Sequence, residues 1–295
     1  MERRGGGISR IELKPLGHIM PGYFQLNVGF ETCDAMGANF INSCLEQFGK
    51  SLQDFFGNSR AISDCDRDCE IIMSILSNYT PESRVRAWVE CPVAELLEGK
   101  SEAECFRFAR KFEQAIRISQ ADVSRAVTHN KGIFNGIDAL AVATGNDFRA
   151  IEACGHAFAA RNGSYSGLTD VCIQDGKFRF SIETALAVGV VGGVTAVHPL
   201  AKLALQILGN PSARELMMYL AAAGLASNFG AVRALVSEGI QQGHMKMHLS
   251  NIMNQLQIQE EYRPEVQAYF QDKTVSFSAV EEYWKSFGPR DSGYE

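Results

Sequence analysis

The chain has 295 residues, with 28 Lys plus Arg against 34 Asp plus Glu, a formal net charge of -6 and a pI near 5.6. That length can bury a large core, as one large domain with a smaller companion or as two domains of moderate size. The acidic balance, without a long basic run, argues against nucleic acid or an anionic membrane as partner, yet leaves room for an anionic cofactor held by a few local donors.

Residues 1–21, beginning "MERRGGGISRIELKP", read as a flexible lead-in with no secretory signal, which places the protein in the cytoplasm. From Tyr23 to Phe30, "YFQLNVGF" predicts a strand, and "DAMGANFINSCLEQFGKSLQDFF" carries apolar residues at helical spacing behind an Asp suited to capping. After "GNSRAISDCDRD", the segments "CEIIMSILSN" and "SRVRAWVECP" predict two more strands, and "SEAECFRFARKFEQAIRISQADVSRAV" one long helix. The order β-α-β-β-α over residues 22–127 suits a ferredoxin-like split-βαβ module within an α+β fold.

Composition changes at Thr128, where a mainly helical domain over 128–240 begins. "KGIFNGIDALAVAT" and "DFRAIEACGHAFAAR" predict two helices parted by "GN", and "LTDVCIQ" and "KFRFSIETAL" a hairpin turning on "DG". The apolar run "TALAVGVVGGVTAVHPLAKLALQIL" is broken by Gly189, Gly192, Gly193, His198, Pro199 and Lys202, which makes it a buried bend and not a membrane span. Helices follow over "PLAKLALQIL", "SARELMMYLAAAGLASNFGAVRALVSEG" and "HMKMHLSNIMNQL", and residues 241–295 form a C-terminal amphipathic helical unit. The eight cysteines read as reduced thiols; Cys65 and Cys69 lack a second ligand pair at zinc spacing, so no metal is expected.

Four stretches carry candidate chemistry. In "DAMGAN", Gly37 and Ala38 permit close approach to a helix start, whose free amides suit a pyrophosphate, while Asp34 reads equally as an N-cap. In "THNKGIFNG", Lys131 and Asn135 share a helical face at the mouth of an apolar helix; the alternative is a snorkelling lysine. In "ATGNDFRAIE", Asp147 leads a helix, as a cap or, if the short connection folds back, as an ion-pair partner of Lys131. In "EGIQQGHMKMH", His244 and His248 lie four apart, a weak metal pattern, and Gly243 suggests a hinge carrying His244 on a mobile unit.

In this order and spacing, these stretches, with "VGGVTAVHPLAKLALQILG" and "GLASNFGAVRAL", resemble the bacterial (class II) hydroxymethylglutaryl-coenzyme A reductases over roughly residues 24 to 290. The resemblance implies reduction of a thioester to an alcohol by two hydrides from NAD or NADP, interconverting hydroxymethylglutaryl-coenzyme A with mevalonate and coenzyme A. It gives Lys131 the stabilisation of each developing alkoxide, Asp147 the polarisation of that lysine, and Asn135 a hydrogen bond to it. His244 matches the histidine that protonates the departing thiolate, carried on a closing flap, and Arg125 the arginine that holds the substrate carboxylate. Asp34, Met36, Gly37, Asn39 and Asn78 would line the dinucleotide site. The absence of Arg or Lys from "TCDAMGANFINS" favours NAD over NADP.

One departure stands out. Family members carry about a hundred residues, roughly a small domain, ahead of the dinucleotide module, including a catalytic glutamate in a Glu-Asn-Val-Ile-Gly motif that this chain lacks. The expectation is therefore an oligomeric enzyme, with a partner chain supplying the missing segment, or a non-catalytic subunit that holds coenzyme A thioester or dinucleotide without reducing it.

Overall fold

The computed structural model describes residues 2–60, 62–63, 69–193, 197–237, 240–271 and 273–287, with the side chains of residues 4 and 240–247 outside that description. Two compact units emerge, Met1–Asn228 and Phe229–Glu295.

The first unit opens with a strand where a flexible lead-in is expected. Strand β1 (Gly7–Pro15) pairs antiparallel with β2 (Phe24–Glu31), Ile11 opposite Val28 and Leu13 opposite Leu26, with an irregularity between Ile8 and Arg10. The alternation Ile11-Glu12-Leu13-Lys14 supplies the period of two that a ribbon needs, and the glycines ahead of it hide the signal. Helix α1 (Ala38–Asn58) follows, entered through Gly37 at φ 80, a left-handed conformation that glycine adopts without steric cost.

The strand expected over Cys69–Asn78 makes no ladder among the described residues. Its β-branched residues favour a sheet only where an edge is offered. Strand β3 (Arg84–Pro92) instead takes β5 (Lys177–Ala185) as neighbour, and β5 pairs with β4 (Thr169–Gln174), giving the antiparallel order β3-β5-β4. The β4–β5 hairpin turns on Asp175 (φ 51) and Gly176 (φ 72), the two positive-φ positions that "DG" predicts.

Phe178, Phe180 and Ile182 alternate on the buried face of β5. Helix α2 (Glu102–Ala121), started by a Ser101–Glu104 capping box, packs there, with Phe112 edge-on to Phe178 and Phe180 at 5.4 and 5.1 Å. Aromatic pairs in this geometry contribute about 1 kcal/mol each beyond their buried area.

The single long helix expected to Val127 breaks at Asp122. Its carboxylate accepts a 2.9 Å bond from Ser124 N in an extended conformation, so α3 (Val123–Ala143) starts there. Helix α4 (Phe148–Ala159) follows, with α5 (Pro199–Ile207) and α6 (Ala213–Val236) after the hairpin. A Cβ at Gly136 of α3 would stand 2.4 Å from the Ala223 carbonyl, so these two helix backbones cross in near contact. Helix α6 is long and apolar enough by length and composition to cross a membrane, but Leu216, Leu220 and Ala221 are buried inside the protein.

The second unit contains α7 (Ile240–Gln255), α8 (Arg263–Tyr269) and α9 (Phe277–Phe287) around Leu249, Ile252, Met253, Val266, Phe270 and Val280. Tyr269 stacks on Tyr283 at 3.7 Å. The division between the units falls inside α6 and not at residue 240.

Candidate active site

Lysine 131 lies not at a helix mouth but about two turns into α3, because the Asp122 cap starts that helix early. One face of α3 is buried, through Ala126, His129, Asn130, Ile133, Phe134 and Ile137, and the other exposes Lys131 and Asn135, one turn apart.

The polar neighbours of Lys131 have structural work. His129 shares a 2.6 Å hydrogen bond from Nε2 with Thr169 Oγ1. Asn130 donates to the Ser166 carbonyl and accepts from Leu168 N, both at 3.0 Å. Asn228 of α6 donates to the His129 carbonyl at 3.1 Å. The His129 and Asn130 side chains fix α3 against residues 166–169 at the entry to β4, and Asn228 ties α3 to α6. Burial, and then the Arg125 cation, push the His129 pKa down to about 4, so the imidazole is neutral at pH 7. Arg125 is half-buried on the same helix.

Asp147 caps α4 as expected, accepting from Arg149 N at 3.1 Å and Ala150 N at 3.3 Å. The Arg149 guanidinium also donates to it, at 3.2 Å from Nε, and that bond above all holds the carboxyl below its usual range. Among the described residues no Lys131–Asp147 ion pair forms. Arg149 is two residues from Asp147 on the same helix turn and takes the carboxylate first.

Asn146, which the sequence reading passed over, and Gly189, read there only as part of a bend, join the separate motifs. Asn146 Oδ1 accepts from Gly189 N at 2.8 Å, and a Cβ on Gly189 would come within 2.4 Å of Met36 N. The Gly-rich bend therefore rests directly on the Asp34–Gly37 turn. The Asp34 carbonyl accepts from Val190 N at 2.8 Å, and its carboxylate accepts from Ala213 N, at the start of α6, at 2.8 Å. The "GN" break and the clustered glycines were the available signals for Asn146 and Gly189.

Gly37 leaves the start of α1 without a side-chain cap and without an acidic residue in its first turn. Such a helix end presents unsatisfied amides and suits a phosphate, so the turn fits one end of a dinucleotide. Met36 is half-buried and Asn39 exposed. Asn78, also exposed, lies close in sequence to Leu76, whose N–H donates to Asn42 of α1 at 2.9 Å. A cavity of about 360 Å³ adjoins the bend, lined by Val190, Val191, Lys202, Leu205, Gln206 and Asn210 among others.

Asp138, one turn beyond Asn135 on α3, was not anticipated. Burial, and then Glu152 of α4, push its pKa up to about 7, and its Oδ1 is buried with no hydrogen-bond partner. His244 falls on α7, where its side chain lies outside the described residues. Among the described residues no cluster of three His, Cys, Asp or Glu is placed to hold a metal.

Residues 1–249 match the family model described as hydroxymethylglutaryl-coenzyme A reductase. The 3-hydroxy-3-methylglutaryl-coenzyme A reductase of Archaeoglobus fulgidus is 40% identical over 249 residues, covering 84% of this chain and 53% of that protein. A probable reductase of the same name from Borreliella burgdorferi is 37% identical over 256 residues, covering 87% and 56%. Among solved structures, 3-hydroxy-3-methylglutaryl-coenzyme A reductase from Streptococcus pneumoniae superposes with TM-score 0.72 at 35% identity, covering 97% of this chain and 65% of that one. The class II enzyme from the same organism, bound to NADPH in open conformations, gives 0.71 at 36%, covering 98% and 67%. The chain spans about half the length of these curated relatives. It belongs to the hydroxymethylglutaryl-coenzyme A reductase family.

Proposed function

We propose that this chain carries the reducing centre of a hydroxymethylglutaryl-coenzyme A reductase, interconverting hydroxymethylglutaryl-coenzyme A with mevalonate and coenzyme A. The observation that carries the reading is the Asn146–Gly189–Met36 contact, which couples the Asp34–Gly37 turn to the start of α4 within one compact unit. Two distant motifs that the family uses for cofactor and for catalysis thereby share one backbone support.

The nicotinamide cofactor, when bound, supplies the hydride. Met36, Gly37 and Asn39 hold it at the open start of α1, with Asp34 fixing the turn and Asn78 alongside. We assign preference to NADH, because "TCDAMGANFINS" offers no cation for a 2′-phosphate. Lys131 presents its ammonium from the exposed face of α3 to the thioester carbonyl and stabilises the negative charge that develops on oxygen. Asn135 orients that ammonium, and Asp147, ionised at the start of α4, polarises it once substrate draws it from Arg149. Arg125 holds the substrate carboxylate through its guanidinium fork. His244 protonates the departing thiolate, whose conjugate acid is weaker than an imidazolium by about two pKa units.

No disulfide joins the described cysteines, which supports a cytoplasmic setting, and we place the chain in an oligomer or beside a partner chain. Separate titrations with NADH and NADPH, followed by hydroxymethylglutaryl-coenzyme A-dependent and mevaldehyde-dependent oxidation of each, test the reading. Binding of either cofactor followed by substrate-dependent oxidation is the expected result. Cofactor binding without oxidation would make the chain a non-catalytic subunit.

A further inference from the structure

Between Glu183 and Arg214 the sequence holds a single Asp, Glu, Lys or Arg, and it is Lys202. Gln206 lies four residues further along α5, and Asn210 four residues beyond that. Helical residues four apart share a face. All three line the cavity of about 360 Å³ beside the Gly-rich bend, and Val190, Val191 and Leu205 give it an apolar wall.

Among the described residues the Lys202 ammonium takes no ion pair, and the Gln206 and Asn210 amides take no hydrogen bond. No carboxylate lines the cavity. The carbonyls that end α5, which would repel an anion, are already engaged. Those of Ala204, Leu205 and Gln206 accept from Leu208, Asn210 and Gly209 N at 3.1, 2.8 and 3.0 Å. Gly209 at φ 81 and Asn210 at φ 54 take the left-handed conformation that closes a helix in this way. The cavity is left with one cation, two amides and an apolar wall.

Its place narrows the ligand. Val190 and Val191 donate to the Asp34 carbonyl at 2.8 and 3.3 Å, so the cavity begins at the turn that fits one end of a dinucleotide. Small-molecule sites run from about 300 to about 1,000 Å³, and this one is sized for a nucleoside and its phosphate, not for a whole dinucleotide. An adenine ring offers an apolar face to the valines and an edge that Gln and Asn amides pair with bidentately. A phosphate monoester on its ribose supplies the charge that a lysine meets as a point cation.

We propose that this cavity holds a phosphorylated adenosine and that Lys202 reads its ribose phosphate. The inference rests on the cofactor reading above and deepens it. Two ligands of that reaction carry such a group, NADPH on the 2′-oxygen and coenzyme A on the 3′-oxygen. Lys202 brings to the turn, from a distant part of the chain, the cation that "TCDAMGANFINS" lacks. With NADPH it narrows the preference for NADH; with coenzyme A it anchors the thioester.

Calorimetric titrations of the 295-residue chain with NADPH, NADH, coenzyme A and 3′-dephospho-coenzyme A test this in wild type, Lys202→Ala and Lys202→Arg. Lys202 is exposed, so both variants keep the fold, which melting curves check. In the expected result Lys202→Ala weakens at least one phosphorylated ligand about tenfold, the order of one charge-assisted hydrogen bond. Its counterpart without that phosphate is unchanged, and Lys202→Arg restores the affinity. The pair that responds, NADPH against NADH or coenzyme A against its dephospho form, identifies the source of the phosphate. Equal weakening within each pair, no change in either pair, or binding of none of the four overturns the proposal. Lost discrimination with NADH still oxidised on adding substrate leaves the catalytic reading standing. A Lys202-dependent difference without oxidation leaves this inference standing and removes that one.

Discussion

His129 Nε2 and Thr169 Oγ1 lie 2.6 Å apart, with each residue only 1% exposed. This bond joins the helix that carries Lys131 to the first strand of the hairpin, and it makes the histidine beside the lysine a structural group. The lysine gets its position from neighbours that point away from it.

Protonation of His129 is therefore opposed by folding. Its pKa is about 4 in the native state, against 6.5 when unperturbed. Between these values the unfolded chain binds the extra proton, so its contribution is present above pH 6.5 and lost as pH falls toward 4. The contribution is on the order of 3 kcal/mol. Urea melts of wild type and His129→Gln across that window check this. The variant is less stable at pH 7 and loses less stability on acidification.

Asp138 acts with the opposite sign. Its carboxyl is pushed up to about 7, first by burial and then by Glu152, so stability is greatest below the unfolded value and falls as pH rises through the native one. Because the residue is partly exposed, the effect is discounted to about 1 kcal/mol. Asp138→Asn removes this loss, and the variant gains on wild type between pH 5 and pH 8 in the same melts.

The two predictions also show which parts of the site were readable. The Asp147 cap and the "DG" hairpin follow from short-range rules, because each needs only a few neighbouring side chains or a permissive glycine, whereas the Asp34 cap expected for α1 does not form: Gly37 opens that helix and the Asp34 carboxylate accepts from Ala213 N instead. The break at Asp122 did not stand out, since helices flank it directly on both sides with no Gly or Pro between them and one side-chain bond to Ser124 N decides it. The strand expected over Cys69–Asn78 depends on a free sheet edge, which no local pattern reports. The Lys131–Asp147 pair failed for a competitive reason, as Arg149 lies nearer in sequence and takes the carboxylate. The Asp138–Glu152 pair joins two helices through side chains 14 positions apart, beyond the reach of periodicity.

Gly189 offers a test of how the turn is supported. Its added Cβ would meet Met36 N at 2.4 Å, and backbone cannot rotate away. Gly189→Ala should cost about 1–3 kcal/mol as overpacking does and weaken dinucleotide binding along with it. Differential scanning calorimetry and a cofactor titration report the two effects. Unchanged affinity would separate the bend from the cofactor role proposed for the Asp34–Gly37 turn.

Lys131 is exposed on α3, so its removal should leave the fold intact. Lys131→Ala keeps the wild-type melting temperature and cofactor affinity, which circular dichroism and NADH titration check, because neither rests on its ammonium.

The most direct measurement is hydroxymethylglutaryl-coenzyme A-dependent oxidation of NADH and NADPH, comparing wild type with Lys131→Ala. The account predicts oxidation by wild type and a loss of about 100-fold to 1000-fold in the variant, with substrate and cofactor binding retained. Equal rates in the two proteins, or no oxidation by wild type with either cofactor, would contradict it.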